Sequence, residues 1–222
     1  MQWFQIVGVL LLVGALYWWF TSYVRTDKSK TVIQGPNLSG KTESSSTLVL
    51  PKSFNQPEGA IFSYTCWFTV NDFTFNYGVK RALFTKGDCP GVYFDSTSNS
   101  LLIVIDTYGT AESILIENIP AQKWVHLALT VNQYSVDVSI NGVPRQHRTL
   151  THLPNQNDER VVMGGNGSYG WDGTLNGLTY YNRALTASDI DQLVKKVPPN
   201  PYPNPSAPTY FGIKWYTDGV SN

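Results

Sequence analysis

The chain has 222 residues and a formal net charge of zero, with 42% hydrophobic and 14% charged residues. This length supports one sizeable core with a small appendage, and the absence of a basic excess sets aside a nucleic-acid-binding function. Aromatic residues make up 14% of the chain, Gly and Pro are frequent and His is scarce, which favours an all-β body of strands joined by tight turns.

The first predicted element is a membrane-spanning helix within residues 1–25. From Trp3 to Val24 there is no charged residue, and a helix of that length spans about 33 Å against a hydrocarbon core of about 30 Å. The alternatives are a buried core helix or a cleaved signal peptide, but the start lacks a basic residue and the run leads into bulky YWWF. Rings at headgroup level are expected from Trp3, Phe4, Trp18, Trp19 and Phe20.

Basic residues follow the predicted span, and none precedes it. Arg25, Lys28 and Lys30 therefore favour a cytoplasmic-side position for the body of the protein. Residues 26–46 are rich in Ser, Thr, Lys and Gly, which predicts a spacer that lifts the body off the membrane. Within that spacer, only the segment Thr31–Ile33 indicates a short edge strand.

The body, residues 47–197, is predicted to be a two-sheet antiparallel sandwich. Alternating apolar runs are separated by turn signals, and many short strands at this spacing are typical of such an architecture. The predicted strands are Thr47–Leu50, Ala60–Val70, Arg81–Lys86, Gly91–Asp95, Leu101–Asp106, Ser113–Glu117, Trp124–Val131, Val136–Ile140, Val161–Met163 and Thr174–Tyr181.

The clearest strand pair is WVHLALTV followed by VDVSINGVP. Asn141-Gly142 supplies the positive φ values of a tight hairpin turn. His126 alternates with the apolar face and has no partner at metal-ligand spacing, so we interpret it as structural; His147 and His152 are placed in the loop after the hairpin, also without a partner. The predicted core face consists of Val125, Leu127, Leu129, Val131, Val136, Val138 and Ile140.

The two cysteines do not make the disulfide framework of a small secreted domain. Cys66 lies on the apolar face of IFSYTCWFTV, and Cys89 lies in the turn GDCPG. A bridge needs Cβ atoms about 4 Å apart, and the sequence leaves that distance open.

A short helix is predicted after Leu185. Thr186 and Asp189 have the spacing of a capping box, and Leu185 with Ile190 has that of a hydrophobic staple. The apolar stripe of Ile190, Leu193, Val194 and Val197 is expected to lie on the sandwich, and the helix is expected to stop at Pro198.

Three segments together resemble the laminin G-like jelly rolls of the concanavalin A-like lectin and glucanase superfamily. They are FSYTCWFTV, KWVHLALTVNQYSVDVSINGVP and VVMGGNGSYGWDGTLNGLTYYNRALTASDIDQLV, and the likeness covers residues 48–194. The resemblance implies the fold but not one function, because the superfamily includes lectins, adhesion modules, glycosidases and structural domains. The matching positions are Trp124, His126, Ala128, Asn141, Gly142, Gly164, Gly165, Trp171, Asp172, Gly173, Tyr181, Asn182, Arg183, Ala184 and Leu185.

The sequence predicts no enzyme, no cofactor and no metal site. The resemblance implies that a glucanase would carry carboxylates at alternate positions of one strand, and a retaining mechanism needs them about 5 Å apart; no such cluster occurs in the sequence. No nucleophile or phosphate-loop motif occurs either. Some relatives bind calcium, but we interpret Asp88, Asp95, Asp106 and Asp172 as turn residues because they lack a recognisable ligand spacing.

The glycine-rich stretch GGNGSYGWDG is the candidate ligand site. Asn166, Tyr169, Trp171 and Asp172 are residue types that stack on and hydrogen-bond to sugars. The alternative is that the aromatic-Asp-Gly turn serves packing and chain reversal, as the resemblance implies.

Residues 198–222 form a predicted docking tail. The proline-rich run PPNPYPNPSAP is a stiff spacer. It precedes a cluster too apolar for a free tail, which either returns onto the domain's own sheet or inserts into a neighbouring subunit. That cluster comprises Tyr210, Phe211, Ile213, Trp215 and Tyr216.

An anchor, a sandwich without catalytic residues and an aromatic tail predict a structural protein that tethers a bilayer to a protein layer. The chain resembles membrane-anchored laminin G-like proteins of large DNA viruses, which implies a minor capsid or virion membrane protein with the bilayer and capsid or coat subunits as partners. The alternative is a membrane-anchored carbohydrate-binding adhesion module with a glycan as its ligand.

Overall fold

The computed structural model describes residues 8, 11–18, 29–50, 53 and 60–198. In this part of the chain, thirteen strands form two antiparallel sheets that face each other across a hydrophobic core. The prediction of an all-β, two-sheet antiparallel sandwich is therefore confirmed.

Both sheets contain strands from several parts of the sequence. In chain order they are β1 (Lys30–Val32), β2 (Leu38–Ser39), β3 (Ser44–Ser45), β4 (Ile61–Asp72), β5 (Arg81–Thr85), β6 (Gly91–Phe94), β7 (Leu101–Ile105), β8 (Glu112–Ile116), β9 (Val125–Asn132), β10 (Ser135–Ile140), β11 (Val143–Thr149), β12 (Val162–Met163) and β13 (Asp172–Tyr181). One sheet has seven strands in the order β1-β13-β4-β9-β10-β11, with β2 also pairing with β13. The other has six strands in the order β3-β12-β5-β6-β7-β8.

The centre of the seven-stranded sheet follows the predicted alternation. On β9, Val125, Leu127, Leu129 and Val131 are fully buried in the core. The turn between β10 and β11 has φ values of 52° at Asn141 and 80° at Gly142, as predicted for a two-residue hairpin loop. Periodicity and turn chemistry thus determine the register of this part of the sheet.

The predicted spacer, residues 26–46, is wrong from residue 30 onward, although the short edge strand predicted within it at Thr31–Ile33 is confirmed as β1, which begins one residue earlier. Strands β1 and β2 pair with β13, and β3 pairs with β12, so this segment belongs to the sandwich. Strands of two or three residues show little periodicity of their own. They form because they pair with strands that lie more than a hundred residues away in the sequence.

The predicted strand at Thr47–Leu50 does not form. The Ser46 hydroxyl donates a hydrogen bond to the Leu48 carbonyl at 2.8 Å, and the chain turns away from the sheet there. Leu50 is buried in the core, whereas Leu48 and Val49 are exposed. The apolar run at residues 47–50 therefore indicates that the segment is partly buried, but not that it pairs with another strand.

Strand β11 was not predicted. All seven of its residues, Val143–Thr149, are exposed, and the strand lies at one end of the seven-stranded sheet. Because neither face is buried, no apolar alternation marks the strand in the sequence. The prediction that His147 lies in a loop is therefore wrong, since it lies on this strand.

A helix of eight residues, Ala187–Val194, packs on the outer face of the seven-stranded sheet and is called the closing helix below. Its capping box is formed as predicted, with Thr186 Oγ1 accepting from the Asp189 amide and Asp189 accepting from the Thr186 amide. Leu185 and Ile190 lie in one cluster with Ala128 and Tyr181 of the sheet. Val197, the last residue of the predicted stripe, is exposed beyond the helix end.

The predicted anchor and tail fall mostly outside the described residues. Residues 11–18 are helical, and Trp18 is exposed; Trp3, Phe4, Trp19 and Phe20 lie outside the described residues. In the described part of the chain, no helix combines the length and apolar character that crossing a membrane requires. The tail residues Tyr210, Phe211, Ile213, Trp215 and Tyr216 also lie outside the described residues.

Candidate binding site

Trp171 of the predicted ligand loop is a core residue. It is 1% exposed, and its ring centroid lies 4.9 Å from that of Phe94. Gly40 and Gly173 lie so close to the indole that a Cβ at either position would overlap it. The prediction that Trp171 offers a face to a sugar is therefore wrong, because the ring is packed inside the sandwich.

Asn166 and Asp172 each hold a contact to another part of the chain through one side-chain oxygen. Asn166 Oδ1 accepts from the Glu43 amide at 3.1 Å. Asp172 Oδ1 accepts from Asn71 Nδ2 at 3.0 Å and lies 3.1 Å from Lys41 Nζ. These contacts join the loop to the segment around β3 and to β4. Both residues therefore have a structural role in holding the loop in place.

Tyr169 is the exposed aromatic member of the predicted site, and the structure adds a second tyrosine beside it. Tyr169 is 65% exposed and Tyr77 is 63% exposed. Asn76 Nδ2 donates to the carbonyls of Gly167 and Gly170, which holds the loop of Tyr77 against the loop of Tyr169. The sequence separates the two tyrosines by a whole series of strands, and no local pattern signals their meeting.

Two carboxylates meet at the same end of the sandwich, which the sequence reading missed. Asp72 at the end of β4 and Asp172 at the start of β13 are cross-strand partners. Hydrogen bonds from the Thr74 hydroxyl and amide lower the pKa of Asp72, so it stays ionised. A general acid for glycoside cleavage needs a raised pKa. The pKa of Asp72 is lowered instead, because its carboxylate accepts the hydrogen bonds of a turn.

The acidic residues that we interpret as turn residues also have structural partners. Asp95 accepts from the amides of Thr97 and Ser98 in a turn, and Asp106 Oδ2 accepts from Asn155 Nδ2 at 3.1 Å. Among the described residues, no group of three His, Cys, Asp or Glu side chains is placed to hold a metal ion. Cys66 and Cys89 are buried free thiols, and burial raises the pKa of the Cys89 thiol to about 12.

His126 is buried beneath the closing-helix side of the sheet. Its ring centroid lies 5.0 Å from that of Trp67, and its Nδ1 atom has no hydrogen-bond partner. Burial lowers the pKa of His126 from 6.5 to about 4. The imidazole is therefore neutral at physiological pH and packs as a ring, in agreement with the structural role predicted for it.

This buried imidazole predicts a pH dependence of stability. Because the folded-state pKa lies below the unfolded-state value, the unfolded chain binds the proton first and stability falls as the pH drops from 6.5 to about 4. Replacing His126 with Phe should remove about 3 kcal/mol of that loss. Urea unfolding of both proteins at several pH values measures the difference, in which the shared carboxylate titrations cancel; parallel curves for the two proteins would contradict the assignment.

An open groove lies on the outer face of the seven-stranded sheet, between the closing helix and β11. It encloses about 500 Å³, within the range of about 300–1,000 Å³ typical of ligand clefts. Its lining residues are Thr130, Asp137, Val138, Ser139, Gly142, Pro144, Arg145, Gln146, His147, Leu185, Ala187 and Ile190. The groove thus has an apolar helix wall, a polar floor and a charged strand wall.

On the charged wall, a histidine lies against a carboxylate, and the sequence did not predict this pair. His147 Nδ1 lies 2.7 Å from Asp137 Oδ1 across the β10–β11 ladder. The two residues are ten apart in the sequence, and only the Asn141-Gly142 turn brings them opposite each other. The prediction that His147 lacks a partner is wrong because it treated β11 as a loop.

Two antiparallel sheets that face each other across one packed core, with a helix on one outer face, define a jelly-roll sandwich. The sequence profile of the concanavalin A-like lectin/glucanases superfamily matches residues 42–191. The chain therefore belongs to this superfamily, as the sequence motifs implied. A comparison with curated protein sequences found no match.

Solved structures with the same fold include binding domains of a mosquitocidal protein and of botulinum neurotoxins. The binding domain of Paraclostridial Mosquitocidal Protein 1 is 17% identical with a TM-score of 0.54, over 76% of this chain and 46% of that one. The receptor-binding domain of botulinum neurotoxin mosaic serotype C/D is 14% identical with a TM-score of 0.57, over 72% and 41%. The binding domain of botulinum neurotoxin DC, in complex with rat synaptotagmin II, is 13% identical with a TM-score of 0.55, over 75% and 46%. This chain spans less than half of each toxin domain, and at such identities the likeness shows the fold alone.

Proposed function

We propose that this protein is a non-enzymatic, membrane-anchored structural protein that tethers a bilayer to a protein layer. The observation that carries the proposal is the state of the predicted ligand loop, in which Trp171 is buried and Asn166 and Asp172 are engaged internally. What the sandwich leaves open instead is a groove of about 500 Å³, a surface suited to a partner chain. The similar toxin domains are binding domains, one of them in complex with a protein, which supports an interaction role.

The membrane part of the proposal rests on the sequence. The run Trp3–Val24 lacks charge, and the basic residues Arg25, Lys28 and Lys30 follow it. Such a pattern anchors a chain once and keeps its body on the cytoplasmic side. Within that topology, the finer proposal is a minor capsid or virion membrane protein of a large DNA virus, whose sandwich and tail contact capsid or coat subunits and whose function involves no nucleic acid.

Membrane flotation tests the tether. The full chain should float with lipid vesicles and stay with them after an alkaline carbonate wash, whereas a chain without residues 1–25 should remain in the soluble fraction. A full chain that washes off the vesicles is a peripheral protein, and the tethering proposal fails. Internal deletion of residues 199–208 is the matched control, because it shortens the chain without touching the predicted span.

A carbohydrate-binding adhesion module is the second candidate, and the paired Tyr77 and Tyr169 favour it. Both rings are exposed on neighbouring loops, and sugar sites stack on exposed aromatic faces. A glycan array probed with the detergent-solubilised full chain should be blank if the protein is a tether. Saturable binding that is lost in Tyr77→Ala with Tyr169→Ala, and kept in the control Tyr108→Ala, would establish the lectin-like function instead.

A further inference from the structure

We propose that the groove between the closing helix and β11 is the docking site for the aromatic arm, Tyr210–Tyr216, of a second copy of this chain. The inference rests on the proposed tethering function, in which the tail is a docking element. It adds the acceptor surface and makes the contact one between identical chains.

The groove offers the chemistry that this arm requires. Leu185, Ala187 and Ile190 form its apolar wall, against which aromatic rings bury surface. The arm reads YFGIKWY, with Lys214 as its single charged residue. Asp137 lies in the groove and its side chain is 53% exposed. Its Oδ1 atom contacts His147 Nδ1 and its Oδ2 atom accepts from Ser135 Oγ, so the carboxylate would attract Lys214 as a third neighbour.

The place where the described chain ends makes the contact intermolecular. Pro198 follows the closing helix by four residues, and the helix end is already at the groove, since a Cβ on Gly142 would lie 3.3 Å from Val194 Cγ2. The ten residues 199–208 are rich in proline, and an extended proline-rich spacer covers about 31 Å. The helix that forms one wall of the groove is only about 12 Å long. A stiff spacer therefore carries the arm past its own groove and towards that of a neighbour.

Such an exchange is a head-to-tail contact. One surface, the arm, meets a different surface, the groove, so the association does not have to stop at a dimer. Chains anchored in one bilayer and linked in this way form an extended array, which is the geometry that a layer under or over a membrane needs.

Photo-crosslinking of the full chain in detergent tests the inference. Trp215 is replaced by the photoreactive residue benzoylphenylalanine, and light and heavy isotope-labelled chains are mixed in equal amounts before irradiation. We expect linked peptides that join position 215 of one isotope to the groove segments 142–147 or 185–190 of the other. Links confined to one isotope would place the arm on its own chain, and links to another surface would exclude the groove; either result overturns the proposal.

Filling the groove supplies the matched comparison. Ala187→Trp occupies the groove from the helix wall, and because Ala187 is exposed the core stays intact. This variant should lower the mixed-isotope links at least about fivefold, the equivalent of about 1 kcal/mol. Ser113→Trp adds the same side chain at an exposed position of β8 and should change nothing. Arg145→Trp fills the groove from the opposite wall if Ala187→Trp does not fold.

Unchanged links in the groove variant that folds would contradict the docking site. The flotation experiment reports on the anchor alone, so it separates the failure of this inference from failure of the tether. A chain that floats but shows no arm-to-groove links remains a tether with a different partner.

Discussion

Replacing Trp171 with Ala should destabilise the protein by about 3–5 kcal/mol, the usual cost of removing a large buried aromatic side chain. The indole is 1% exposed, contacts Phe94 and lies between Gly40 and Gly173. Its removal leaves a cavity that glycine backbone cannot collapse to fill. Urea unfolding followed by tryptophan and tyrosine fluorescence, with far-ultraviolet circular dichroism as a second probe, measures the loss.

Tyr169→Ala is the control from the same loop. This side chain is exposed, so its removal should change the free energy of unfolding by no more than about 0.5 kcal/mol. The opposite order, with a stable Trp171→Ala protein, would mean that the indole is available for a ligand and that the packing assignment is wrong.

Replacing Arg81 with Met should cost about 3 kcal/mol or more of stability. The guanidinium is 1% exposed, and it donates to the carbonyls of Phe73 at 2.7 Å, Phe75 at 2.9 Å and Asp95 at 2.5 Å. Methionine fills similar space but leaves three carbonyls without their donor. The loop from Phe73 to Lys80, which carries Tyr77, should loosen at the same time and exchange its amide hydrogens faster.

Arg160→Met supplies the comparison for that variant. Arg160 is exposed, so the same loss of charge there should change stability by about 0.5 kcal/mol or less. Equal effects of the two substitutions would show that net charge, rather than the three buried contacts, sets the stability.

The predictable part of the fold is the part with one buried face or a local signal. The alternation of Val125 and Leu127 with the polar His126 predicts β9. Asn141-Gly142 predicts the turn between β10 and β11, because both residues must adopt positive φ values. Thr186 and Asp189 start the closing helix by a capping box that spans four residues. Each of these signals lies within a few positions of the residue that it determines.

The parts that sequence reasoning missed depend on distant partners. β2 and β3 are too short to show a pattern and form by pairing with β13 and β12. Strand β11 is exposed on both faces, so its residues show no apolar alternation. A reading by periodicity treats both kinds of segment as spacer or loop.

The same distinction holds for the candidate site. Residue type alone predicts Asn166 to Asp172 as ligand residues. It does not show that Gly40 and Phe94 pack against Trp171, or that Lys41 pairs with Asp172. The groove has no sequence signature, since it combines one helix wall, one strand wall and a sheet floor. Tertiary assembly creates that surface.

Cross-linking mass spectrometry on the native, membrane-containing assembly tests the central claim that this protein joins a bilayer to a protein layer. We predict links from body lysines such as Lys41 and Lys123, and from Lys214 of the arm, to coat subunits or to other copies of this chain, while the chain remains in the lipid-containing fraction. A chain recovered away from lipid, or one linked to no coat subunit and to no other copy, would contradict the account.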